Sequence, residues 1–371
     1  MNPLLQLAER DQAIWIDFIE RRMLEEGELA RLVEDDGVRG VTSNPAIFEQ
    51  AITSGDAYDT QIAELLAGNP QMPVGELYEE LAVEDIRGAA DVLRPVWEET
   101  RGADGFVSLE VSPHLAADTD ATIEEARRLW RRVNRPNLMI KVPATPEGIP
   151  AVEELLAAGI NVNITLMFSL QHYEAVARAY LGGLGRSSRP QQVASVASFF
   201  VSRLDSLLDP RLREHPTPEG RALAGKVAIA NSKLTYARFR EIFHGEGFAR
   251  WRERGCRPQR VLWASTSTKD PEYRDVLYVE ELIGRETVNT MPPHTLEAFR
   301  ERGQVRPSLT EDVEGARQTI ESLSSLGIDL DEATETLQRE GIRKFVEPFD
   351  RLLAALEEKR DALREQAAAG S

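Results

Sequence analysis

Short apolar runs rich in β-branched residues recur at 13–17, 38–42, 106–111, 138–143, 161–166, 194–200, 260–265 and 287–290. Their length and composition predict buried β-strands. Between them lie stretches with helical periodicity. The clearest spans 119–133, where Ile123, Ala126, Trp130 and Val133 share a face and arginines occupy much of the rest. Asp118 and Asp120 stand there as capping candidates, with Glu124 and Glu125 close behind. A second stretch, 169–182, opens on a serine and closes on a glycine, which predicts a capped start and a stop at Gly182. Strands alternating with helices imply parallel pairing through right-handed crossovers. Eight such units predict a single-domain (β/α)8 TIM barrel with additional helices. A doubly wound dinucleotide fold is the rival, but no G-x-G-x-x-G follows either early strand and no Walker A sequence occurs.

Two segments exceed a minimal barrel unit. Residues 44–101 and 205–258 carry extra helix, and the tail 310–371 is helical, with its end, 365–371, expected to fray. No Pro-, Gly- or Ser-rich linker and no internal repeat divides the chain, so one domain covers 1–371. The apolar face of the C-terminal helices can pack on the barrel or join a second copy, which leaves monomer and homodimer both open.

Composition narrows the function. At 371 residues, with 42% hydrophobic and 29% charged positions, the chain has an ordinary globular make-up. Its net charge of -18 argues against a nucleic-acid partner, because a phosphate backbone requires a basic surface. Residues 1–10 are polar and charged within a few positions, and no uncharged apolar run could span a bilayer. A cytoplasmic protein without membrane association is expected. The single cysteine, Cys256, excludes an internal disulfide and a thiolate metal cluster. Its neighbours Arg254, Gly255 and Arg257 place it in a loop as a non-catalytic thiol. His114, His172, His215, His244 and His294 lack ligand-like spacing, so no metal is expected. Only His114 stands near a strand end, where a structural use is expected. A G-x-S-x-G elbow is also absent.

The most informative residue is Lys141, in the run NLMIKVPAT at 137–145. Lysine is scarce here; the others are Lys226, Lys233, Lys269, Lys344 and Lys359. Burial disfavours an ammonium group, so an amine inside an apolar strand can be neutral and nucleophilic. Imine formation with a carbonyl substrate needs such an amine. The plain alternative is a strand-end lysine whose stem packs while its head reaches solvent. Other polar residues interrupt or follow the apolar runs: Asp17, Asn44, Glu110, Asn163, Thr165, Arg203 and Ser265. In a barrel, the C-terminal strand ends carry the active site. Singly, each residue has another use: Asp17 as a cap, Asn44 before Pro45 as a turn residue, Glu110 as an ion-pair partner, Thr165 as a strand former. Together, polar side chains from many strands at one level would be costly to bury without a function.

A family resemblance gathers these residues. The segments GVTSNPAIF at 40–48, VSLEVSP at 107–113, IKVPAT at 140–145 and NVNITLMFS at 161–169 resemble transaldolase motifs, in transaldolase order. So do ASFFVSR at 197–203, LWAST at 262–266 and NTMP at 289–292. The length and the LWAST form resemble the longer bacterial and plant-type subgroup. The resemblance implies a (β/α)8 barrel that transfers a dihydroxyacetone unit between sugar phosphates, with no metal and no organic cofactor. It implies that Lys141 is the Schiff-base lysine, that Asp17 is the acid/base of carbon–carbon cleavage, and that Glu110 and Thr165 handle the water of imine formation and hydrolysis. Asn44 and Asn163 would hydrogen-bond sugar hydroxyls, and Ser198 and Phe200 would line the pocket. Arg203 and Ser265 would hold the phosphate. Many relatives carry an arginine two positions after that serine; Ser267 stands there in this chain, and nearby Lys269 is the candidate substitute. Two rivals stay open: a fructose-6-phosphate aldolase that releases free dihydroxyacetone, and a non-catalytic sugar-phosphate-binding barrel.

Overall fold

The computed structural model describes residues 2–369. Eight parallel strands close into one barrel in sequence order: β1 (Gln12–Ile16), β2 (Val38–Val41), β3 (Phe106–Glu110), β4 (Leu138–Pro143), β5 (Val162–Met167), β6 (Ser195–Phe200), β7 (Arg260–Ala264) and β8 (Thr287–Met291). The closing pair, β1 with β8, runs without a register shift from Gln12 opposite Thr287 to Ile16 opposite Met291. Strands buried on both faces read as continuous apolar runs, and β4, β5, β6 and β8 are buried at every position. Gly40 in β2 is dictated by close approach, since a Cβ there would lie 2.4 Å from the Trp15 indole. That indole donates to Asp104 Oδ1 at 2.8 Å, and Arg260 pairs with the same carboxylate at 3.0 Å.

Helix Thr119–Val133 has the predicted bounds, with Asp118 accepting from the Ala121 amide as its cap. The helix predicted to stop at Gly182 instead runs Leu170–Arg186, capped by Ser169. Its glycines serve packing rather than termination. A Cβ on Gly183 would meet Leu156 Cβ at 2.6 Å, so the side-chain-free surface lets helix Gly148–Ala157 press against it.

Between β2 and β3 lie helices Pro45–Thr53, Asp59–Gly68 and Val74–Glu99. Between β6 and β7 lie Ser202–Arg213, Pro218–Arg221, Val227–His244 and Glu246–Glu253. The chain ends in a long helix, Leu330–Ala369, which packs across helices Pro45–Thr53 and Val74–Glu99. Its apolar side chains Leu337, Phe345, Phe349, Leu352 and Leu356 are buried against the rest of the chain. Among the described residues, Leu5 is the one large hydrophobic side chain that is exposed. The apolar face read from the sequence is thus used within the molecule. The end expected to fray, 365–371, lies outside the residues whose side chains are described. Among the described residues, no helix is long and apolar enough to cross a membrane.

Candidate active site

Strand register brings the polar residues together. Glu110 of β3 pairs with Lys141 of β4, Lys141 pairs with Asn163 of β5, and Pro143 pairs with Thr165. A carboxylate, an amine and an amide therefore stand side by side on three adjacent strands. The Lys141 side chain is 6% exposed; its Nζ donates to the Ser43 carbonyl at 2.8 Å and lies 3.4 Å from Glu110 Oε2. The amine also sits 5.7 Å from the centre of the Phe345 ring. It does not snorkel to solvent.

Asp17 follows β1 directly, its amide bonded to the Met291 carbonyl at 2.8 Å. Thr42 Oγ1 donates to Asp17 Oδ1 at 2.6 Å and lies 2.7 Å from Thr290 Oγ1. Burial pushes the Asp17 carboxyl above its ordinary range, opposed by Lys141, Thr42, Arg203 and Lys269. Burial also raises Glu110, to about 7, against the pull of Lys141. Two carboxyl groups shifted toward neutrality beside a buried amine are what proton transfer near pH 7 requires. Two oxygens nearby carry unused hydrogen-bonding capacity: Thr165 Oγ1, and Glu110 Oε2 despite its ion pair with Lys141, are buried without a hydrogen-bond partner. Such groups are costly to bury unless a ligand or water completes them.

Asp17, Asn44, Lys141, Thr165, Ser198, Phe200, Arg203, Ser265 and Lys269 line one cavity of about 200 Å³ at the C-terminal end of the barrel. Glu110 reaches this group through its contact with the Lys141 amine. Asn163 lies beneath the cavity, fully buried, donating to Ser108 Oγ at 3.0 Å and accepting from Ser198 Oγ at 2.6 Å. It orients Ser198, which does line the cavity. Asn44 has two uses, because its side chain also caps helix Pro45–Thr53 by accepting from the Ile47 amide.

A cationic end completes the cavity. Arg203, in the first turn of helix Ser202–Arg213, rests its guanidinium 4.9 Å from the centre of the Phe200 ring and leaves Nη1 buried without a partner. Burial pushes this guanidinium below its ordinary value, while Asp17 and Glu110 hold it up. Ser265 has φ +56°, a left-handed conformation unfavourable for a non-glycine residue, and its Oγ lies 2.9 Å from Ser202 Oγ. Lys269 donates to Ser267 Oγ at 2.9 Å. Leu166, at the end of β5, is likewise left-handed at φ +62°. Its carbonyl, with that of Ala144, accepts from Gln338 Nε2 on the C-terminal helix, at 3.1 and 2.9 Å. This clamp holds Phe345 over the amine.

Sequence reasoning missed Thr42, Thr290 and Phe345. The two threonines close β2 and β8 as the named residues close their strands, so the same signal applied to them. Phe345 gave no signal, because an aromatic on an amphipathic helix reads as core. His114 pairs with Asp350 at 2.7 Å, outside the cavity, and Cys256 is a buried, unpaired thiol. Among the described residues, no cluster of His, Cys, Asp and Glu has metal-site geometry.

Residues 14–356 match the family described as transaldolase/fructose-6-phosphate aldolase. A protein named transaldolase from Thermobifida fusca is 47% identical over 357 residues, covering 95% of this chain and 96% of that protein. Proteins of the same name from Thiobacillus denitrificans and Frankia alni are 44% and 46% identical over 360 residues each. They cover 96% of this chain, and 100% and 96% of their own lengths. A match this long, carried by a closed eight-stranded barrel with a buried lysine at its C-terminal end, places the chain in the transaldolase/fructose-6-phosphate aldolase family.

Proposed function

We propose that this enzyme is a transaldolase that moves a dihydroxyacetone unit from a ketose phosphate, sedoheptulose 7-phosphate or fructose 6-phosphate, to an aldose phosphate through an imine on Lys141. The observation that carries this is the buried Lys141 amine beside Glu110, facing a cavity with Asp17 on one wall and unpaired Arg203 at its cationic end. The Lys141 amine adds to the C2 carbonyl. Glu110 gives its proton to the departing C2 hydroxyl, and water leaves as the iminium forms. Asp17 then takes the C4 hydroxyl proton, the C3–C4 bond breaks, and its electron pair moves into the iminium to give an enamine and a free aldose phosphate. A second aldose phosphate accepts the enamine carbon while Asp17 returns the proton. Water, deprotonated by Glu110 and aligned by Thr165, hydrolyses the product imine.

Phosphate binding falls to Arg203, whose planar fork suits phosphate oxygens, with Ser265 and Lys269 beside it. The N-terminal end of helix Ser202–Arg213 adds a favourable dipole for an anion. Asn44 and Ser198 bond sugar hydroxyls, Phe200 lines the wall, and Asn163 holds Ser198 in place. Neither a metal nor an organic cofactor enters these steps. The acting unit is a single chain or a homodimer of the cytoplasm.

The test is to supply sedoheptulose 7-phosphate and glyceraldehyde 3-phosphate to the purified protein. Erythrose 4-phosphate and fructose 6-phosphate in equal amounts are expected. Free dihydroxyacetone in place of the transferred product would instead assign the aldolase activity, and no turnover would leave a binding barrel.

A further inference from the structure

A second cavity, about 450 Å³, is lined by residues of helices Val74–Glu99 and Thr119–Val133 and reaches the Glu110 member of the Lys141–Glu110 pair. Glu110 lines this side cavity and not the sugar cavity; Lys141 lines the sugar cavity and not this one. Asn44 borders both. The outer end opens at Gly75 and Arg128, both exposed. Along the wall stand Tyr78 and Glu125, the latter accepting from the Ser112 amide at 2.7 Å. At the inner end Glu110 Oε2 is buried, ion-paired with the Lys141 amine at 3.4 Å but without a hydrogen-bond partner, on a side chain 6% exposed. The lining mixes apolar side chains such as Phe48, Leu109 and Phe349 with Ser43, Asn44, Glu79, Glu125 and Arg132. A space of this size that ends on a carboxylate oxygen thus offers water the polar partners it needs.

We propose that the side cavity is the water path of the imine steps, separate from the entrance used by the sugars. This rests on the imine reading above. Once a ketose phosphate is bound to Lys141, it occupies the smaller cavity, so water has no free route through it. The steps that need a route are definite. In carbinolamine dehydration the C2–O bond breaks, Glu110 supplies the proton, and one water departs. In hydrolysis one water adds to C2, its oxygen forming the new C–O bond and Glu110 taking its proton. Glu110 thus gives up a proton in the first step and regains one from water in the second, and burial holds its carboxyl at about 7, where either form is accessible. The two-cavity arrangement separates retention of the three-carbon enamine, in the smaller cavity, from delivery of water, through the larger one.

The test plugs the mouth reversibly. A Cβ on Gly75 would meet no atom within 4 Å, so Gly75→Cys is sterically free. The variant is made with Cys256→Ala, which leaves one thiol. It is modified with methanethiosulfonates of increasing size and then restored with a thiol reductant. Enzyme is loaded with fructose 6-phosphate before labelling, so that dehydration precedes the plug, then given erythrose 4-phosphate and quenched with borohydride, and the adduct mass on Lys141 is read. The plugged enzyme is expected to accumulate the seven-carbon adduct. Carbon–carbon bond formation proceeds while hydrolysis slows on the order of tenfold or more, as loss of access to a general acid/base would dictate. The effect should grow with label size and vanish on reduction. Equal adduct lifetimes with and without the bulkiest label would overturn the water path. Absence of any Lys141 adduct before labelling would overturn the imine reading itself, a different failure.

Discussion

In the proposed mechanism Lys141, Glu110 and Asp17 divide the chemistry by their surroundings. Lys141 is held by one carbonyl and one carboxylate, and no other side chain in the cavity can supply an imine nitrogen except the exposed Lys269. Lys141→Ala should therefore abolish turnover and the trapped adduct, measured by coupled assay and mass spectrometry. Asp17→Ala should still form the imine while cleavage slows by about 10²–10⁴-fold, the usual worth of a positioned acid/base; single-turnover kinetics separates the two steps. In the proposed mechanism Glu110 donates a proton in one half-reaction and accepts one in the other, and burial raises its carboxyl to about 7. The pH profile of kcat should thus bend near pH 7, and Glu110→Gln should remove that bend along with most of the rate. These residues were legible because a charged or hydroxyl side chain interrupting a buried apolar run is expensive. The Ser43 carbonyl that holds the lysine was not legible, since any residue carries one. Phe345 was not, because its contact is made by a helix more than 200 residues further along the chain.

At the level of elements, eight apolar runs translated into eight parallel strands because each is covered on both faces. The helix that runs through Gly182 shows where local rules fail. Glycine ends helices when the chain must turn left-handed, but here Gly183 lies in the helix and lets Leu156 approach. Gly183→Ala should cost about 1–3 kcal/mol, the usual penalty of overpacking, seen as a lowered denaturation midpoint with catalytic constants retained. The C-terminal helix was read as helical from its composition, yet its place over the barrel mouth depends on Gln338 bonding two strand-end carbonyls and on Gly341, where a Cβ would come within 2.8 Å of Leu166 Cδ2. Such tertiary contacts leave no periodic trace in a sequence.

Across the whole molecule, a net charge of -18 coexists with carboxyl groups buried where ionisation is disfavoured. Burial lifts Glu110 from 4.5, and burial with neighbouring Asp209 lifts Asp205 from 3.8, each to about 7. Between the ordinary and raised values the folded protein holds protons that the unfolded chain has released. Their contribution to stability is thus fully present below pH 4 and lost as pH rises through 7. The melting temperature should fall between pH 5 and pH 8 by calorimetry (about 4 to 7 being the window). Asp205→Asn should flatten that slope, and an unchanged slope would show that Asp205 ionises freely in the folded state.

The most direct test of the central claim is borohydride reduction in the presence of fructose 6-phosphate, followed by peptide mass mapping. A reduced dihydroxyacetone adduct on the peptide containing Lys141, discharged by prior addition of erythrose 4-phosphate, is the predicted result. An adduct on another lysine, or none while transfer activity persists, would contradict it.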